Sequence, residues 1–240
     1  MLLRLPTSVS EAQECLAEGA VPIGGATLVW AAWQRDGFPE QAVSLREVPE
    51  ANIIGREVLG SAVMLHQVGG PVPEVLRRAA ASVGTGAVRR TATVGGNLVG
   101  STLRCLLPPA VVLDARCTVL EPHTVYETDL AEVVAKRHLL LSLRWREPIA
   151  SGYRKLSAEA GGEPPLVIAC AVHADGDAGN RLRVAVRDGY EVLSASTAYD
   201  TDAEQVLHAL QGTELGSLHT TARDVVRQEV TTLLDRLADR

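Results

Sequence analysis

The sequence predicts an α+β protein built in parts: a small α/β unit and a mixed-sheet unit over residues 1–149, then a small C-terminal antiparallel sheet with helices over residues 150–240. Three observations predict it. A strand–helix–strand run ends in the glycine pair Gly24-Gly25, a middle region of short β-branched runs holds one clear helix, and a hairpin followed by helical stretches closes the chain. With 240 residues, 46% hydrophobic and 22% charged, the chain can bury a substantial core.

The first subdomain, residues 1–50, opens on a short strand and continues into a helix over Ser8 to Glu18. Ser8 or Ser10 can cap its start, and Gly19 is placed to end it. Val21-Pro22-Ile23 reads as the strand that delivers the glycine pair, Leu28 to Trp33 is apolar and helix-permissive, and Ala42 to Leu45 reads as a short buried strand. In the second subdomain, residues 51–149, Val72 to Val83 reads as a helix with Val75, Leu76, Ala79, Ala80 and Val83 on one face. Pro108 to Leu113 reads as a helix with proline in its first turn, while Ala115 to Leu120 and Leu139 to Leu143 read as strands. The C-terminal domain carries a hairpin of Leu166 to Ala174 and Arg181 to Arg187 around Asp175 to Asn180, then two helical stretches. The last places Val225, Val226, Val230, Leu233, Leu234 and Leu237 on a stripe expected to pack in a core.

Composition excludes several classes. The net charge of −6 without a Lys/Arg cluster argues against a nucleic-acid partner. No apolar run approaches the ~18 residues that span a bilayer. The start, Met1 to Pro6, is too short and too soon interrupted for a secretory signal, so a cytoplasmic location is expected. Four dispersed cysteines, Cys15, Cys105, Cys117 and Cys170, and six dispersed histidines offer no zinc or iron–sulfur spacing, so no metal is expected and the thiols read as reduced and buried.

Two glycine pairs carry the functional signal. One sits in Ile23-Gly24-Gly25-Ala26-Thr27-Leu28, the other in Thr93-Val94-Gly95-Gly96-Asn97-Leu98. A pair flanked by a β-branched residue and a hydroxyl or amide suits a strand end whose N–H groups turn outward to a diphosphate without using charge. Either pair alone reads as a plain turn. Together, with Ala87 to Thr91 before the second pair and Leu107-Pro108-Pro109 to Ala115 after it, they resemble the FAD-binding medium subunit, or domain, of the molybdenum hydroxylases, the family of xanthine dehydrogenase and carbon monoxide dehydrogenase.

The resemblance runs in order along nearly the whole chain. Val58-Leu59-Gly60-Ser61-Ala62 matches a Gly-Ala strand, and Tyr153-Arg154-Lys155 a Tyr-x-Lys stretch that opens the C-terminal domain. It implies the two-part FAD-binding fold of the vanillyl-alcohol-oxidase/MurB-like type. It also implies a cofactor, FAD, held by Ile23, Gly24, Gly25, Ala26, Thr27 and Leu28, by Thr93, Gly95, Gly96 and Asn97, and by Lys155. No catalytic side chain is assigned, because the flavin itself would pass electrons to NAD or oxygen. The implied partners are separate iron–sulfur and molybdopterin subunits and a small-molecule substrate or NAD.

The chain departs from the family at three places. Leu106 stands where most members carry an aspartate that anchors the flavin. Glu121-Pro122-His123-Thr124 leads almost directly to Leu130 where members insert a loop approaching the flavin ring. Glu159 stands where an arginine follows the lysine. Two alternatives therefore stand beside the redox-subunit reading. One is a stand-alone enzyme of specialised metabolism acting on a small organic substrate, with His123, Tyr126, Lys155 and Glu159 as substrate-side candidates. The other is a scaffold that has lost flavin. Arg89-Arg90 reads as a solvated loop or as a ligand contact.

Overall fold

The structure, a computed structural model, describes residues 1–157, 163–176 and 179–238. The chain divides into two compact units, each discontinuous in sequence: Met1–Val72 with Val83–Leu106 and Ala115–Trp145, and Pro73–Ser82 with Leu107–Asp114 and Arg146–Arg240.

The first unit begins with strand β1 (Leu2–Arg4), helix α1 (Val9–Ala17), strand β2 (Val21–Pro22), helix α2 (Val29–Asp36) and strand β3 (Gln41–Val43). The three strands form a parallel sheet in the order β1-β3-β2. Ser8 caps α1 by accepting from the Glu11 N–H at 3.2 Å, and the Glu11 carboxylate accepts from the Thr7 N–H at 2.7 Å. That reciprocal pair fixes the helix start, and the Thr7 N–H holds the Glu11 carboxyl below its ordinary range. Gly19, at φ +85°, takes the left-handed conformation that ends the helix. The buried face of α1, Ala12 and Cys15, packs against Leu45, Val48 and Val43. In contrast, α2 buries no residue; Trp30 and Phe38 lie exposed and edge-on at 5.2 Å.

The same unit holds an antiparallel sheet in the order β4-β7-β5-β6, with β4 (Val58–Gly60), β5 (Arg116–Leu120), β6 (Val125–Asp129) and β7 (Leu140–Arg144). Helix α4 (Gly86–Arg89) is capped by Thr85. Helix α6 (Leu130–Lys136) is capped by Asp129, which accepts from the Glu132 N–H at 2.7 Å.

The second unit is a four-stranded antiparallel sheet, β11-β10-β9-β8, made of β8 (Ala150–Lys155), β9 (Val167–Ala174), β10 (Asn180–Asp188) and β11 (Glu191–Ala198). It is accompanied by α3 (Glu74–Ala81), α5 (Leu107–Val112), α7 (Ala203–Gln211) and α8 (Thr220–Ala238). Ile168, Cys170 and Val172 of β9 and Leu182, Val184 and Val186 of β10 form its core with α7 and α8. The expected stripe on α8 is buried at Val225, Val226, Val230, Leu233 and Leu234, with Leu237 packed at its edge. Glu229 shares that buried side: a Cβ on Gly152 would meet its Oε1 at 2.6 Å and the Cys170 Sγ at 2.9 Å. Burial pushes the Glu229 carboxyl up, against the pull of Arg78, Arg154 and Arg236.

The expected helices and strands are present, and among the described residues the strands β6, β8 and β11 and the helices α4 and α6 are not foreshadowed by the sequence reading. β6 (Val125-Tyr126-Glu127-Thr128-Asp129) and β11 are edge strands with polar or small residues, so neither shows an apolar run. α4 and α6 are too short to display a helical period. The expected boundary between residues 149 and 150 lies close to Trp145, but α3 and α5 group with the C-terminal unit, their buried faces packing on its sheet. Among the described residues, no helix is long and apolar enough to cross a membrane.

Candidate functional site

The first glycine loop runs from the end of β2 to the start of α2. Ile23 continues the parallel pairing by donating to the Val43 carbonyl at 2.9 Å, after which the chain leaves the sheet. Ala26 has φ +56°, a left-handed conformation that is uncommon away from glycine. The Ala26 carbonyl accepts from the Trp30 N–H at 3.1 Å and so launches α2. Among the described residues, the backbone N–H groups of Gly24, Gly25, Ala26, Thr27 and Leu28 find no acceptor. Five successive donors without protein partners therefore lead into the N-terminus of α2, one of them on a left-handed residue, an arrangement of the kind that suits an anion.

The second loop is built differently. Residues 92–95 lie against residues 61–65: Leu65 donates to Ala92, Val94 to Val63 and Gly95 to Ser61, with Met64 and Thr93 opposed. Gly96 donates to the Thr93 Oγ1 at 3.2 Å and Asn97 to the Thr93 carbonyl at 2.9 Å. Most of its amides are therefore used internally. A wide turn over Gly96–Gly100 follows, closed by the Ser101 N–H on the Gly96 carbonyl at 2.9 Å.

The structure brings the two loops into contact, and the glycines make that contact possible. A Cβ on Gly25 would lie 1.7 Å from the Thr91 carbonyl oxygen, and one on Gly24 would lie 2.5 Å from Thr93 Oγ1. A Cβ on Gly95 would lie 2.9 Å from the Ser61 Cβ. These glycines serve close backbone approach between segments, while the first-loop donors remain without protein acceptors among the described residues.

Asn97 links the second loop to the segment that follows. Its Oδ1 accepts the buried Leu106 N–H at 2.9 Å, and its Nδ2 finds no acceptor among the described residues. Leu106 itself is fully buried, so its side chain serves the core. Between the two lies Arg104, with φ +38° and a buried Nε that has no hydrogen-bond partner. Sequence reasoning missed Arg104, Ser61 and Thr91. The last two act through backbone proximity, which leaves no pattern in residue type, whereas an arginine between small and apolar neighbours was a readable signal.

The other candidates make local contacts of their own. Lys155 belongs to the second unit, where its Nζ donates to the Ser82 carbonyl at 2.8 Å. Arg89 donates to the carbonyls of Val83 and Gly84. β5 and β6 are joined by a tight hairpin in which the Glu121 N–H donates to the Thr124 carbonyl at 3.0 Å; His123 sits exposed at its tip. Below it, the Tyr126 hydroxyl donates to Glu121 Oε1 at 3.1 Å and lies 3.4 Å from His138 Nε2. Loss of water around the phenol, then Glu121, pushes the Tyr126 pKa up. Glu159 lies outside the described residues. Among the described residues, no cluster of His, Cys, Asp or Glu is arranged to hold a metal ion.

The residues present fit a flavin dinucleotide. Neither loop carries a carboxylate, the first offers five free donors, and Asn97 and Arg104 hold further unpaired donors on the segment after the second. Comparison with solved structures gives the same fold. The chain is 18% identical to a chain of quinoline 2-oxidoreductase from Pseudomonas putida 86, covering 98% of this chain and 94% of that one with a TM-score of 0.69. It is 17% identical to a chain of the reconstituted CO dehydrogenase from Oligotropha carboxidovorans, with 98% and 96% covered and a TM-score of 0.72. For a carbon monoxide dehydrogenase from Hydrogenophaga pseudoflava that lacks the Mo-pyranopterin moiety of its molybdenum cofactor, the identity is 17%, the coverage 98% and 96%, and the TM-score 0.71. No curated protein matches the chain at the level of sequence. Residues 3–140, which contain both glycine loops and the Arg104 segment, match the family described as the FAD binding domain in molybdopterin dehydrogenase, and the chain belongs to that family, whose cofactor is FAD.

Proposed function

We propose that this chain is the FAD-holding subunit of a multi-component oxidoreductase, working with separate iron–sulfur and molybdopterin subunits and delivering electrons to NAD or oxygen. The observation that carries the reading is the run of five unpaired N–H groups from Gly24 to Leu28, braced against the second glycine loop. In this reading the Gly24–Leu28 amides hold the diphosphate. The Thr91 and Thr93 backbone and the Thr93 hydroxyl keep the first loop in register, and Asn97 orients the segment that carries Arg104. Bound FAD would supply the redox chemistry, accepting electrons from one partner and releasing them to another. None of the loop side chains needs to act as nucleophile or base. A cytoplasmic setting accords with a redox subunit whose four cysteines are free thiols.

The fold shared with subunits of quinoline 2-oxidoreductase and CO dehydrogenase supports the assembly. A stand-alone enzyme with a directly bound organic substrate is favoured by one feature, the tight β5–β6 hairpin that leaves the Tyr126–Glu121–His138 group without a covering insertion. The visible spectrum of the purified protein, with released cofactor identified by mass and added FAD titrated, tests the first step. Release of FAD, or saturable FAD uptake, is expected. A colourless protein that takes up no FAD refutes the reading. Co-purification with iron–sulfur and molybdopterin subunits then separates the complex from the stand-alone enzyme.

A further inference from the structure

Arg104 is held in a conformation and an environment that the protein alone does not reward. Its φ of +38° lies in the left-handed region, where a long side chain gains nothing over glycine. Its Nε–H is buried and has no acceptor, and among the described residues its side chain makes no ion pair and no hydrogen bond. A guanidinium nitrogen donates and cannot accept, so only an incoming acceptor can satisfy it. Withdrawing it from water without an acceptor costs free energy, as does the backbone strain.

The surrounding contacts prevent relaxation. Ser101 Oγ accepts from the Leu103 N–H at 3.2 Å and the Arg104 N–H at 3.4 Å, which fixes the turn before Arg104. Two residues later, the Leu106 N–H is fastened to Asn97 Oδ1, and Asn97 belongs to the second glycine motif. Segment 101–106 is thus pinned at both ends and keeps an unspent cationic donor beside the second loop.

We propose that Arg104 is a cofactor-contacting residue whose guanidinium donates to an electron-rich oxygen of the flavin dinucleotide. The inference rests on the reading that the glycine loops hold FAD. Two kinds of oxygen on that ligand share the required chemistry, those of the diphosphate and those of the flavin ring. Charge-assisted bonds of this type are among the stronger ones available to a binding site, and Arg is suited to them by its fixed fork of donors.

The test measures FAD dissociation constants and melting temperatures of flavin-stripped wild type, Arg104→Met, Arg104→Gly and Arg104→Lys. Arg104→Met and Arg104→Gly are expected to weaken FAD at least tenfold, about 1.4 kcal/mol, while the flavin-free variants melt at or above the wild-type temperature. Arg104→Gly, which also relieves the backbone, is expected to melt highest. Arg104→Lys recovers part of the affinity. Titration with ADP and with riboflavin assigns the acceptor: a loss confined to ADP places it on the diphosphate, and a loss confined to riboflavin places it on the ring portion. FAD affinity within twofold of wild type in both Arg104→Met and Arg104→Gly overturns the proposal while leaving FAD binding by the loops intact. Lower melting temperatures in both would make Arg104 a structural residue and overturn it too. A wild type that binds no FAD overturns it together with the reading on which it rests.

Discussion

Replacing Gly25 by alanine tests whether the two glycine loops meet as the structure has them. The added Cβ would stand 1.7 Å from the Thr91 carbonyl oxygen, 2.3 Å from the Thr91 carbonyl carbon and 2.9 Å from the Ala92 nitrogen. All three are backbone atoms, two of Thr91 and one of Ala92 where the segment paired to residues 61–65 begins, so no side-chain rotation can make room. A methyl against a carbonyl oxygen needs roughly 3.2 Å, so the loops must part by roughly 1.5 Å. Overpacking of this kind typically costs about 1–3 kcal/mol, and the upper end applies because the obstacle is backbone. For a chain of this length, about 3 kcal/mol lowers the melting temperature by roughly 6–12 °C. The same movement displaces the donors of Gly24 to Leu28. Losing one hydrogen bond to a charged group, about 1.5–3 kcal/mol, weakens FAD by roughly 10–100-fold. Gly24→Ala provides the intermediate case, because its nearest obstacle is the rotatable Thr93 Oγ1 at 2.5 Å. Gly100→Ala is the control, with nothing within 4 Å of the added atom and no positive φ. Thermal melts and fluorescence titration with FAD should rank the damage Gly25 over Gly24 over Gly100. A Gly25→Ala variant that melts and binds like wild type would refute the loop-to-loop packing on which the site is built.

Asn97→Ala leaves the buried Leu106 N–H without its acceptor and should destabilise the protein by about 1–3 kcal/mol, measured by urea unfolding. Glu229→Gln should stabilise it at neutral pH. The folded-state pKa of Glu229 is raised by burial, so the stability it costs is absent below the unfolded value and grows as pH rises through the folded one; the variant's advantage in melting temperature should close as pH falls towards 4. Burial pushes the Cys117 thiol up to about 12 and raises Cys170 as well, so a thiol reagent at pH 8 should label neither in the native protein and all four cysteines after denaturation.

Elements with a strong local signal were legible in the sequence, and elements decided by neighbours were not. The helix α1 is marked at both ends, by Ser8 and Gly19, and the stripe on α8 repeats long enough to show its period. The hairpin of β9 and β10 is apolar on its core face and interrupted by a glycine- and aspartate-rich turn. β11 carries Ser, Ala and Thr because it lies at the sheet edge, so its strand character comes from pairing with β10. At the site, the glycine motifs located both loops, but residue types alone could not distinguish a glycine kept for an anion from one kept for a neighbouring carbonyl. The Leu106 position illustrates the same limit. The sequence marks it as a missing acceptor, while its buried side chain and its N–H on Asn97 make it a structural anchor.

The alternation of the two units along the chain has a consequence for synthesis. When the ribosome has delivered residues 1–145, the apolar faces of α3 (Val75, Leu76, Ala79, Ala80) and α5 (Leu107, Ala110, Val112) have been made, but the strands β8 to β10 that cover them have not. The nascent chain therefore carries two uncovered hydrophobic helices from the completion of α5 at Val112 until β8 begins at Ala150, and truncation near residue 145 would leave them uncovered permanently. Because the segments of the two units alternate along the chain, neither a cut at the apparent boundary nor a circular permutation makes either unit continuous, and separately expressed halves would need the segments to be reordered and rejoined.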